Sequence, residues 1–308
     1  MNGPSRTAPT RSDNHQAAGF AFGLGAYGLW GVLPIYFEAL RSVPVLDIVA
    51  HRVLWSLPLL AILIFVSGDR AKVRAAIVRP GTVGMLLLTA ILIGGNWLLY
   101  IYAVTTGHIL AASFGYYLNP LANVLLGRFV LREKLSGVQW AAVAIAAVGI
   151  GILAAGALGQ LWLSLAMCIS FALYGLLRKI VPADALTGLA IETAILFPLA
   201  VAWLGWMVIA SPPVLRASTR DTELLLLLAG FVSTIPLLLF TAAAKRLPYS
   251  TLGMLQFLTP TLQFLIALLV YKEPVTTAHM IAFPVIWAAL ALYVVAFLRA
   301  PRLPQAPE

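Results

Sequence analysis

The sequence predicts an all-α polytopic membrane protein, with ten transmembrane helices arranged as two inverted five-helix repeats. Three observations carry this. Of the 308 residues, 61% are hydrophobic and only 10% are charged, against about 25% charged in an ordinary soluble domain. The apolar residues gather in continuous runs of about 20, the length of a helix that crosses a bilayer while satisfying its own backbone hydrogen bonds. A transmembrane β-barrel would alternate instead. Finally, one pattern occurs twice, 140 residues apart. Ser113-Phe114-Gly115-Tyr116-Tyr117-Leu118-Asn119-Pro120-Leu121 leads to Arg132-Glu133-Lys134, and Gly253-Met254-Leu255-Gln256-Phe257-Leu258-Thr259-Pro260-Thr261 leads to Lys272-Glu273-Pro274.

Taken in order, residues 1–16 carry Arg6, Arg11 and turn formers without a cleavable apolar leader, and read as a disordered tail. Ten spans follow, at 17–39, 45–67, 81–104, 109–131, 137–155, 158–178, 188–210, 223–244, 250–271 and 277–298, and residues 300–308 form a second tail. No connection is long enough to fold as a domain. With the N-terminus inside, the inner segments hold fifteen basic residues, among them Arg178-Lys179 and Lys245-Arg246, which read as topology signals. The outer segments hold four: Arg41, Arg216, Arg220 and Lys272. The excess of positive charge on one side predicts that both termini are cytoplasmic. The net charge of +9 is thereby assigned to topology, and no basic domain is left to bind nucleic acid.

The repeat divides the chain into 17–155 and 156–299. At the same offset of 140, Arg52 falls on Glu192, Pro58 on Pro198, Tyr100 on Phe240, Ala103 on Ala243, Pro120 on Pro260 and Glu133 on Glu273. Tyr27-Gly28-Leu29 matches Tyr174-Gly175-Leu176 at an offset of 147. Because each half has an odd number of spans, the halves enter the membrane in opposite directions. Inverted repeats of this kind build carriers in which two similar bundles exchange roles around a shared midplane site.

Polar groups within spans are the candidate substrate-binding or coupling residues, since each is costly in lipid unless paired or hydrated. Asp47 and His51 share a face of the second span, with Arg52 deeper, and Glu192 is the repeat mate of Arg52. One reading has Arg52 and Glu192 facing a polar cavity, with Glu192 or His51 exchanging a proton or Arg52 holding an anionic group. The other has a static Arg–Glu pair, or an arginine that snorkels outward. Gly94-Gly95-Asn96-Trp97 and Tyr100 place an amide and aromatic rings in the third span, where the glycines allow close helix approach. Tyr116, Tyr117 and Asn119 precede Pro120, while Gln256 and Thr259 precede Pro260. Prolines 58, 120, 198 and 260 are expected helix kinks that free carbonyls for neighbouring polar groups. Tyr27 and Trp30 are weaker candidates. Glu133 and Glu273 read as caps or ion pairs at span ends.

No metal site, cofactor or catalytic group is expected. The lone Cys168 excludes an intramolecular disulfide and a cysteine zinc site. His15, His51, His108 and His279 are scattered, and neither a phosphate-binding GxxxxGK[ST] loop nor HExxH occurs.

The segments His51-Arg52-Val53-Leu54-Trp55-Ser56, Gly94-Gly95-Asn96-Trp97-Leu98-Leu99-Tyr100, Gly115-Tyr116-Tyr117-Leu118-Asn119-Pro120, Tyr174-Gly175-Leu176-Leu177-Arg178-Lys179 and Ile191-Glu192-Thr193 stand together in one chain. In these the sequence resembles RarD proteins, which are EamA-like permeases of the drug/metabolite transporter superfamily. The resemblance runs from about residue 17 to 298. It implies a ten-span bacterial inner-membrane carrier of two EamA repeats, working by alternating access, with relatives that export amino acids, metabolites or drugs. The group's chloramphenicol-sensitivity label names a phenotype, not a substrate. The expected partners are a small-molecule substrate and the lipid bilayer. The alternatives are a membrane-embedded enzyme acting on a lipid-linked substrate, which lacks a nucleophile here, and a non-transporting scaffold, which would need no polar cavity. Oligomeric state is not legible, because lipid-facing and partner-facing apolar surfaces look alike.

Overall fold

The computed structural model of the chain describes residues 11–105, 109–154, 161–210, 219–270, 272 and 277–299. Among them every regular element is a helix. In order these are α1 (Arg11–Ala39), α2 (Val45–Ser67), α3 (Arg70–Val78), α4 (Thr82–Thr105), α5 (Ile109–Phe129), α6 (Gly137–Ala154), α7 (Leu161–Ile180), α8 (Ala185–Ala210), α9 (Arg220–Ala244), α10 (Tyr249–Leu255), α11 (Leu258–Leu269) and α12 (Thr277–Arg299). Eight of them are long and apolar enough to cross a membrane: α1, α2, α4, α6, α7, α8, α9 and α12. The fourth and ninth expected spans fall on α5 and on the α10–α11 pair.

Large apolar side chains are exposed all round the bundle, including Phe65, Phe129, Leu199, Ile209 and Leu269, while Asn96, Asn119, Asn123, Thr241 and Gln256 are buried. A soluble protein of this size would not leave so much apolar surface in water. The inside-out distribution fits a bundle whose outer surface meets lipid.

The element ends follow from local chemistry. α2 stops at Gly68, whose φ of 72° lets its N–H reach the carbonyls of Ile64 and Phe65. α9 starts at Thr219, whose hydroxyl accepts from the N–H of Thr222, with Asp221 and Glu223 in the first turn. Lys179 at the end of α7 donates to the carbonyls of Ala244 (2.8 Å), the last residue of α9, and Leu247 (2.5 Å) beyond it, and Lys245 in return donates to the carbonyl of Val181 beyond α7. These are reciprocal C-terminal caps. Burial pushes the Lys245 ammonium down to about 8, with the charges of Arg178 and Lys179 adding to the effect.

Three expectations need correction. α1 begins at Arg11, so the stretch expected as a disordered tail is helical from that residue onward; residues 1–10, 300–308 and Glu273 lie outside the described residues. A short basic helix, α3, was not foreseen between the second and third spans. It packs on α8 and α4 with little of itself buried. The ninth expected span is broken at Gln256–Phe257, because Pro260 has no N–H for the carbonyl of Gln256 and its ring crowds that carbonyl. The carbonyl accepts instead from Thr259 N at 3.1 Å. Pro260 thus stands in the first turn of α11 and not at a kink within a helix, whereas Pro58, Pro120 and Pro198 lie inside α2, α5 and α8.

The packing is regular. α6 lies on α12, α2 on α8 and α5 on α10, and the other principal contacts come in pairs: α1 on α9 with α7 on α4, α2 on α9 with α8 on α4, α5 on α7 with α11 on α1. Exchanging α1 with α7, α2 with α8, α4 with α9, α5 with α10–α11 and α6 with α12 leaves these neighbours unchanged. Among the described residues the non-glycine residues with positive φ are Arg132 (57°) and Lys272 (52°), themselves 140 positions apart.

The crossing of α2 and α9 shows how tightly the bundle is built. A Cβ on Gly230 would lie 2.5 Å from the carbonyl carbon of Trp55 and 2.8 Å from the N of Ser56. Gly230→Ala must therefore push the two helix backbones away from each other, and it is expected to cost about 1–3 kcal/mol, read as a lower melting temperature in detergent.

Candidate functional site

Polar residues of α2, α8 and α9 line one cavity. Arg52, Val53 and Ser56 of α2 line it with Ile93 and Trp97 of α4, Tyr174 of α7, Leu189, Glu192, Thr193 and Leu196 of α8, and Ser233, Thr234 and Leu237 of α9. Its volume is about 20 Å³, roughly the room of one water. Five pairs of these residues stand 140 positions apart: Arg52 with Glu192, Val53 with Thr193, Ser56 with Leu196, Ile93 with Ser233 and Trp97 with Leu237. The first pair is charged in both members with opposite sign, and in the next three a polar residue is matched by an apolar one, so the lining is built from matched positions that differ in chemistry.

Arg52 is held on two sides. Its Nε donates to Ser233 Oγ at 2.6 Å, and its guanidinium lies 4.4 Å from the centre of the Trp97 ring. Ser233 passes the bond on to the carbonyl of Ala229 (2.6 Å). Nearby, Thr234 donates to Ser56 Oγ at 2.8 Å, and Ser56 donates to the carbonyl of Gly230 at 3.3 Å.

Glu192 is 1% exposed, and its partner is not Arg52. Arg178 Nε lies 3.5 Å from Glu192 Oε1, Thr89 donates to the same oxygen at 2.5 Å, and Tyr174 donates to Oε2 at 3.5 Å. Arg178 is itself 0% exposed. Its Nη2 donates to the carbonyl of Ala185 (3.1 Å), and its Nε to Thr241 Oγ1 (3.4 Å). This corrects the reading of Arg178 as a cytoplasmic topology signal. It is the counter-ion of Glu192, and among the described residues these two are the buried charged side chains. Gly188 makes the seat for it, since a Cβ there would lie 1.8 Å from Arg178 Nη1.

The remaining expected residues lie elsewhere. His51 does not line the cavity; its Nδ1 accepts from Trp55 Nε1 at 3.3 Å, and Asp47 accepts from Trp203 Nε1 at 2.9 Å. Asn96 ties three helices, donating to the carbonyl of Met167 and to Ser170 Oγ (both 2.9 Å) and accepting from Tyr116 at 3.3 Å. The rings of Tyr100 and Tyr116 are 6.2 Å apart, and Tyr117 meets Phe283 edge-on at 6.1 Å. Gln256 accepts from Asn123 (2.9 Å) across the α5–α10 contact, and Thr259 donates to the carbonyl of Tyr27 (2.9 Å). Asn119 is fully buried, and neither of its side-chain atoms has a hydrogen-bond partner among the described residues. Tyr27, Trp30, Phe171, Tyr174 and Phe240 form an aromatic cluster with ring centres 5.6–6.2 Å apart.

Of the residues singled out from the sequence, Arg52, Trp97 and Glu192 line this cavity; Ser56, Thr193, Ser233 and Thr234 also line it and were missed, as was Arg178 beside Glu192. The offset of 140 could have found Thr193 and Ser233, as polar residues opposite Val53 and Ile93. Arg178 had a weaker signal: a buried carboxylate needs a cation, and Arg52 was the more obvious one.

The comparisons with known proteins agree with one another. A profile of the EamA-like transporter family matches residues 17–155. The chain is similar to an "Uncharacterized transporter" of Vibrio cholerae, 45% identical over 92% of this chain and 93% of that protein. It is similar to "Protein RarD" of Escherichia coli, 41% identical over 90% of this chain and 93% of that protein. With "Chloramphenicol-sensitive protein RarD" of Pseudomonas aeruginosa it shares 33% identity, over 89% and 92% of the two chains. A solved crystal structure superposes with a TM-score of 0.71 at 17% identity, over 92% of this chain and 100% of the other, a likeness of fold alone.

Proposed function

This chain belongs to the EamA-like transporter family, in its RarD group, and from that premise we propose that it is a secondary carrier exporting a small metabolite or drug-like molecule by alternating access. It is a multi-pass transporter of the bacterial inner membrane, from a family of transporters and not of enzymes. The reading goes further in three respects: ten spans with both termini cytoplasmic, two inverted repeats over 17–155 and 156–299, and one substrate site between them.

The observation that carries it is the cavity lined by five residue pairs of common offset. Matched positions from two halves meet only near the axis that relates the halves, and that is where a carrier with inverted repeats holds its substrate. The paired helix contacts and the matched positive φ of Arg132 and Lys272 support the same relation. With about 20 Å³ inside, the cavity has no room for a substrate-sized molecule in this conformation. One bundle must rock against the other to admit a substrate.

The coupling step we assign to Glu192. A proton on its carboxylate removes the charge that holds Arg178, frees α8 to shift against α7, and ties the rearrangement to the proton gradient. Efflux from proteoliposomes is therefore expected to rise with an imposed pH gradient, and Glu192→Gln is expected to lose that response by more than tenfold per folded molecule. Transport indifferent to both the gradient and the substitution sinks the coupling step.

A further inference from the structure

We propose that the molecule carried at this site bears a carboxylate and that Arg52 receives it. The inference rests on the carrier reading above and deepens it. Two charged residues line the cavity, and they are not equivalent. Glu192 is already neutralised, by Arg178 at 3.5 Å, and its oxygens also accept from Thr89 and Tyr174. Arg52 forms no ion pair among the described residues; the nearest carboxylate on its own helix, Asp47, is engaged by Trp203. The lining therefore carries one positive charge within a span that has no ion-pair partner among the described residues, a costly arrangement that an anion relieves.

The geometry fits a carboxylate better than a diffuse anion. Ser233 on the Nε side and Trp97 beneath the plane fix the guanidinium, so little rotamer freedom is left to lose on binding. Among the described residues the hydrogen bond of this guanidinium is the one from Nε to Ser233, which leaves its two Nη groups as parallel donors that match the two oxygens of a carboxylate. The Ser56–Thr234 hydroxyl pair on the same wall offers a further polar contact. A cationic substrate would face Arg52 without an available acid to hold it.

The test uses the purified full chain in detergent micelles, with thermal melting as the readout. The probes are matched acids and amides: benzoate with benzamide, hexanoate with hexanamide and lactate with lactamide. Sodium chloride and sodium sulfate serve as inorganic controls at equal ionic strength. At least one acid is expected to raise the melting temperature saturably, with its amide at least tenfold weaker. Arg52→Gln is expected to abolish the difference, and Arg52→Lys to keep some of it. Amides equal to acids, inorganic anions equal to carboxylates, no response to any acid, or discrimination retained in a folded Arg52→Gln protein each overturn the inference. Flux in proteoliposomes separates it from the carrier reading. An acid that binds through Arg52 but is not moved upholds Arg52 as a carboxylate seat and counts against the carrier reading. Undiminished transport of neutral or cationic compounds by Arg52→Gln does the reverse.

Discussion

Arg178→Met is expected to be among the most damaging single substitutions in this chain, lowering stability by about 3–5 kcal/mol. It leaves the Glu192 carboxylate at 1% exposure with hydroxyl donors but no cation, and an unpaired buried charge is far costlier than a missing contact. Replacing both charges removes the problem at its source. Arg178→Met combined with Glu192→Gln is expected to recover more than half of the loss, because the neutral amide keeps a donor–acceptor pair for Thr89 and Tyr174. Melting of the purified variants in detergent, with the two single substitutions alongside, measures the coupling directly. Equal melting of Arg178→Met and the parent protein would mean that the pair is solvated and not buried.

The second large effect is expected at Glu133. Its Oε1 accepts from Tyr249 N at 2.5 Å, and its Oε2 accepts from Ser250 N at 2.9 Å and Ser250 Oγ at 2.7 Å. α10 has seven residues, and its N-cap, Pro248, supplies no side-chain bond. The carboxylate, coming from the turn after α5, takes over those first N–H groups, which every helix start leaves open. Bonds to a charged acceptor contribute about 1.5–3 kcal/mol each and share one side chain here, so Glu133→Ala is expected to cost about 2–4 kcal/mol. Hydrogen exchange should show the loss concentrated in Tyr249–Leu255, with Glu133→Gln intermediate. Uniform loss across the bundle would argue against a local cap.

The sequence expectation that Glu133 is a cap was sound in kind but not in partner: it closes a helix of the other half. That error has the same origin as the one at Arg178. Hydropathy finds spans because lipid imposes length and apolarity on each segment by itself, and α2, α4, α8, α9 and α12 lie within a few residues of their expected bounds. Which face of a span turns inward depends on neighbours, and in a chain that is apolar all round, periodicity carries little of that information. An arginine beside a lysine at a span end reads as a topology signal whether it points to water or to a buried glutamate. The repeat offset was more informative. It paired Arg52 with Glu192, which line the same cavity, although the ion pair that forms is between Glu192 and Arg178. Pro260 likewise marked a distortion, but the i−4 carbonyl it displaces belongs to Gln256, so α10 and α11 separate there, whereas α5 runs unbroken through Pro120.

Alternation of access to the cavity can be measured without knowing the substrate. Thr193 lines the cavity on α8, and Cys168 is the one native cysteine. On a Cys168→Ser background, Thr193→Cys is labelled with a membrane-impermeant maleimide in right-side-out and in inside-out vesicles. A carrier that alternates exposes this position to both sides in turn, so labelling is expected from each side, with the balance shifted by an imposed pH gradient. Labelling from one side only under every condition, or from neither, would contradict alternating access at this site.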